Sequence, residues 1–109
     1  MARSIKVKSY LIRIATGSLG FNEWRRNIIV RSDDTKTYCD IRFVDNPASF
    51  QSHEKVRENG PSQLYLPLDV FEPTVDLLRN EEPLYLVLYE SSNRAMIQST
   101  QEPPGEAES

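Results

Sequence analysis

The chain has 109 residues, 39% of them hydrophobic and 27% charged, which is the composition of one globular domain rather than of a disordered segment. With one cysteine, Cys39, there is no internal disulfide, and with His53 as the one histidine there is no ligand set for a structural zinc site. No run of about 18 apolar residues is present to cross a membrane, and the first residues lack the apolar stretch of a secretory signal, so a cytoplasmic protein is expected.

The formal charge of −3 hides an asymmetry. Residues 1–57 hold eleven Lys and Arg against six Asp and Glu, whereas residues 58–109 hold two against ten. Two readings follow: a positive face meeting an anionic partner, or two halves that attract each other within the chain or across a dimer.

Residues 4–15 read as a long strand. Ile5 and Val7 share one face, while Tyr10, Ile12 and Ile14 share the other. The apolar phase therefore switches near Lys8 and Ser9, which predicts a bulge or a strand buried on both faces. Gly17 and Gly20 mark a loop. A second strand runs from about Glu23 to Arg31, with Trp24, Arg26, Ile28 and Val30 on one side and Arg25, Asn27, Ile29 and Arg31 on the other. Ser32 to Thr35 is a turn. The third strand, Lys36 to Val44, alternates: Cys39, Ile41 and Phe43 face in, and Tyr38, Asp40 and Arg42 face out.

Residues 45–62 read as a long polar loop. A short strand, Gln63–Leu66, precedes a helix over about Asp69 to Asn80, whose Leu68, Phe71, Val75 and Leu78 make an apolar stripe. Asp69 and Glu72 have the spacing of a capping box. Leu84 to Tyr89 is apolar or aromatic throughout, the pattern of a strand covered on both faces. Ser91 to Arg94 turns the chain into a last strand, 95–99. Residues 101–109 are rich in Pro and Glu and read as a disordered acidic tail after a single domain over 1–100.

The expected fold is α+β: an antiparallel sheet of about four strands, one amphipathic helix and a two-stranded hairpin. One short helix cannot cover both faces of strand 84–89, so a homodimer is expected with Leu86, Leu88 and Tyr89 at its interface.

The inventory of chemistry is thin. There is no Walker-type loop and no Gly-x-Ser-x-Gly elbow. Cys39 falls on the inward phase of its strand, where a thiol is a small hydrophobe, and His53 is a lone loop histidine. Asp33-Asp34 lacks further oxygen ligands at calcium spacing. No catalytic residue, metal, cofactor or small-molecule substrate is therefore expected. What remains is a basic and aromatic set, Trp24, Arg25, Arg31, Tyr38 and Arg42, of which Arg25, Asn27 and Arg31 can share a face with Tyr38, Asp40 and Arg42. Such a surface suits single-stranded nucleic acid, with phosphates on cations and bases on rings. The competing reading is a solvated face of cross-strand Arg–Asp pairs.

The run Tyr38-Cys39-Asp40-Ile41-Arg42-Phe43, the polar loop, the segment Gly60 to Leu68 with its Leu-Tyr-Leu core, and the helix Val70–Asn80 together resemble the positive-cofactor-four and Whirly class of single-stranded nucleic-acid-binding proteins. The resemblance covers about forty residues, and strands one and two only in order. It implies binding residues at Tyr38 and Arg42. The pattern of TGSLGF, LRNEEP and EPPGE is also similar to small cyanobacterial proteins of this fold, which implies no activity. The expected function is a non-catalytic single-strand-binding module for DNA or RNA. The alternative is a protein-interaction or assembly factor that binds no nucleic acid.

Overall fold

The computed structural model describes residues 2–15 and 26–99. The first strand, β1 (Arg3–Ile14), is long because it serves two neighbours. Its N-terminal half pairs antiparallel with β5 (Leu84–Tyr89), and its C-terminal half with β2 (Arg26–Ser32). The register shifts between Val7 and Ser9, so the bulge falls at Lys8, where the apolar phase switches. One extra residue lets Ile5, Val7 and Ile12 all pack against one core.

Strands β2 and β3 (Tyr38–Val44) alternate as expected. Ile28, Val30, Cys39, Ile41 and Phe43 are buried on the side covered by helix α1 (Phe71–Asn80). The helix contributes Phe71, Val75 and Leu78, and the Phe71 ring meets Phe43 edge-on with centroids 5.1 Å apart. Edge-to-face pairs add about 1 kcal/mol to the burial of the two rings.

Several expectations are corrected. The strands form one six-stranded sheet in the order β4-β3-β2-β1-β5-β6, with β6 spanning Arg94–Ser99. The terminal hairpin is thus part of the main sheet. The sheet is mixed, because β4 (Pro61–Pro67) runs parallel to β3. A parallel neighbour requires a crossover, and residues 45–60 supply it. That stretch is not plain loop: it contains a 3-10 helix, Pro47–His53, and an antiparallel bridge between Lys55 and Gln63. Nor does Asp69 cap α1. The chain enters the helix through a 3-10 turn, Leu68–Val70, which makes Val70 the N-cap and leaves it without a side-chain capping bond.

Leu86 and Leu88 are buried in the chain's own core, so the reason for expecting a partner copy over them falls away. Strand β5 is apolar on both sides because it lies inside the sheet, between β1 and β6, with Leu84, Leu86 and Leu88 turned to the helix side. Tyr85, Val87 and Tyr89 alternate to the other side.

The two ends of the sheet are tied together. Asn93, with a left-handed φ of 54°, accepts the Val56 N–H at its Oδ1 and donates Nδ2 to the Glu54 carbonyl. Glu58 and Glu90 each accept the other's backbone N–H. Residues 54–58 therefore lie between the β4 edge and the β5–β6 turn.

The charge asymmetry of the sequence becomes an asymmetry of faces. Asp69, Glu72, Asp76 and Glu82 are exposed on or beside α1, together with Arg79, and Arg26 lies on the same side. On the opposite, outer face of the sheet, alternation places Lys6, Arg13, Arg31, Arg42 and Arg94, with Asp40 among them.

Candidate nucleic-acid interface

The outer face is built by strand register. Asn27 lies opposite Arg42, Ile29 opposite Asp40 and Arg31 opposite Tyr38. Across the other edge of β2, Arg13 pairs with Asn27 and Leu11 with Ile29. Residues directly opposite have side chains close enough to interact. The Arg31 guanidinium accordingly sits 5.3 Å from the Tyr38 ring centroid, a cation–π contact. Arg31 is exposed and Tyr38 half-buried, so both can be reached from solvent.

Beside this pair runs a polar network. Arg13 Nε donates to Asn27 Oδ1 at 3.0 Å, and Asn27 Nδ2 donates to Asp40 Oδ1 at 2.8 Å. Arg42 donates to Asp40 Oδ2 from Nε and Nη2, at 3.4 and 3.3 Å. Its Nη1 donates to the Tyr65 hydroxyl at 3.4 Å, which also accepts from Gln63 Nε2 at 2.7 Å. Asn27 is fully buried, and these bonds are what make its burial tolerable. The network joins Arg42 to the Asp40 carboxylate directly and Arg13 to it through Asn27.

Next to Tyr38 the sheet edge opens into a recess of ≈ 340 Å³. Its far wall is the segment His53-Glu54-Lys55-Val56-Arg57. His53 ends the 3-10 helix and the chain is extended from Glu54, so the side chains of 54–57 alternate. His53, Lys55 and Arg57 line the recess, while Val56 is buried in the core and Glu54 turns to the opposite side. The backbone is fixed to β4. Lys55 and Gln63 exchange both main-chain bonds, at 2.9 and 2.8 Å. The Ser62 hydroxyl accepts the Arg57 N–H at 2.9 Å and donates to the Arg57 carbonyl at 3.3 Å. Glu54 Oε2 accepts the Tyr65 N–H at 3.0 Å. Neither Lys55 nor Arg57 is ion-paired among the described residues.

Of the residues expected at the interface, Arg31, Tyr38 and Arg42 are gathered on one face, and Trp24 and Arg25 lie outside the described residues. Arg26 is on the other face, its guanidinium 5.3 Å from the Phe71 ring centroid. Sequence reasoning missed Arg13, Tyr65, Lys55 and Arg57. The His-x-Lys-x-Arg spacing around a buried valine was the signal for the last two. Cys39 and His53 lie on opposite sides of the sheet and form no nucleophile–base pair. Burial pushes the Cys39 thiol up to about 12, which keeps it protonated. No cluster of three or more potential metal ligands exists among the described residues, and none of their helices is long and apolar enough to cross a membrane.

Comparisons with protein-family models, curated proteins and solved structures find no match to this chain.

Proposed function

We propose that the protein is a non-catalytic, single-stranded nucleic-acid-binding module that uses the outer face of its sheet. The observation that carries this reading is the Arg31–Tyr38 pair, an exposed guanidinium beside a half-buried ring, with Arg13 and Arg42 on the same face. A flexible strand can lay its phosphates on the guanidinium groups and a base on the tyrosine, with Leu11, 48% exposed, as apolar floor. The acidic side chains along α1 lie on the opposite layer, away from the phosphates.

A second reading, a protein-assembly factor, draws on another surface. A cleft of ≈ 360 Å³ between β4, β6 and α1 is lined by Leu64, Leu66, Leu77, Met96 and Ile97, with Met96 45% exposed. Binding of labelled oligonucleotides at two salt concentrations separates the two, because neutralised phosphates make affinity fall as salt rises. A protein that binds no oligonucleotide at low salt leaves the assembly reading in place.

A further inference from the structure

The recess beside Tyr38 differs from the face it adjoins in the state of its cations. On the face, Arg42 and Arg13 are drawn into the network around Asp40. In the recess, Lys55 and Arg57 project side by side from a backbone held by β4, with no carboxylate paired to either among the described residues. Asp40 also lines the recess, but both of its oxygens are engaged, by Asn27 and by Arg42. The Gln63 amide and Tyr38 complete the polar lining.

This geometry favours one kind of anion. An internal phosphodiester carries a single charge. A terminal phosphate monoester carries about 1.5 to 2 at pH 7 and offers three acceptor oxygens. Two uncompensated cations on a fixed strand match the monoester in charge and in number of donors. Position favours it too. The recess lies beside β4, the edge strand in the order β4-β3-β2-β1, so a strand crossing the face from β1 toward β4 reaches it last.

We infer that the recess lined by Lys55, Arg57, His53 and Tyr38 is a subsite for a phosphate monoester: the terminal phosphate of a single strand, or of a free nucleoside monophosphate. This rests on the proposed function for the strand source and stands apart from it for the mononucleotide source.

The test is fluorescence anisotropy on the full chain, with internally labelled oligonucleotides of one sequence bearing a 5′-phosphate, a 3′-phosphate or only hydroxyl ends. Adenosine monophosphate and inorganic phosphate serve as competitors. One phosphorylated end should bind about fivefold tighter than the hydroxyl-ended strand. Adenosine monophosphate should remove that advantage. In the double variant Lys55→Ala/Arg57→Ala, with its fold checked by circular dichroism, the ratio should fall to one. Equal affinity for phosphorylated and hydroxyl ends in the wild type overturns the subsite and leaves the sheet-face reading standing. Binding of adenosine monophosphate, lost in the double variant, without any oligonucleotide binding supports the subsite and overturns the sheet-face reading. No binding of any of these probes overturns both.

Discussion

The guanidinium of Arg31 lies 5.3 Å from the centre of the Tyr38 ring, and the two residues are directly opposed in the β2–β3 ladder. The contact is worth about 0.5–1 kcal/mol at an exposed site, too little to matter for stability. It holds a cation and an aromatic ring together on one face of the sheet.

The pair should separate into two effects when mutated. Tyr38→Ala removes the stacking surface and should weaken oligonucleotide binding by about 1–3 kcal/mol with little change in salt dependence. Arg31→Ala should instead flatten the salt dependence by about 0.7 in log–log slope. Arg26→Ala is the control, since Arg26 lies on the helix side against Phe71. Titrations of the three variants by anisotropy check this, and an effect at Arg26 larger than at Arg31 would place the binding face on the other side.

The first three strands were legible in the sequence because their side chains alternate against one core. The slip between Val7 and Ser9 could be read as a bulge because Ile5, Val7 and Ile12 must reach the same interior. The direction of β4 was not legible. Residues 45–60 look like loop by composition, and nothing in Gln63 to Leu66 says whether the chain has crossed over before pairing. The cations Lys55 and Arg57 were hidden for a related reason. Their alternation is only four residues long, Glu54 to Arg57, and runs into a turn at Glu58 and Asn59, so it gains meaning only once Gln63 pairs with Lys55. Strand β5 was read as needing a partner because a sequence shows that a strand is apolar on both sides, not that it is interior to a sheet.

Burial of Cys39 has a chemical consequence. With its thiol pushed up to about 12, the folded protein should react with a thiol reagent at pH 8.5 at least about a hundredfold more slowly than the unfolded chain. The pH dependence of stability has a definite sign. Above the ordinary thiol pKa near 9, the unfolded state loses its proton while the folded state keeps it. Stability is therefore fully present below pH 9 and falls as pH rises toward about 12. Chemical denaturation at pH 7 and pH 10.5, compared with Cys39→Ala, isolates this contribution. A stability of the wild type that rises over that interval relative to the variant would contradict it.

Leu86 tests where the core is. It is 1% exposed and packs beneath the helix, so Leu86→Asp buries an unpaired carboxylate and removes core contacts. A cost of at least about 4 kcal/mol is expected, a large share of a small domain's stability. Circular dichroism should show an unfolded or molten chain. A folded monomer of near wild-type melting temperature would mean that Leu86 is buried by something other than this core.

The most direct test of the binding face is a titration of the full chain with labelled oligothymidylate at 20 and 200 mM salt, values chosen to span roughly one decade. Three guanidinium contacts, from Arg13, Arg31 and Arg42, each contribute about 0.7 to the slope, so log affinity should fall with log salt at a slope of about −2. Binding at 20 mM that weakens about a hundredfold by 200 mM is the expected result. Absence of binding at 20 mM, or an affinity that does not change with salt, would contradict the account.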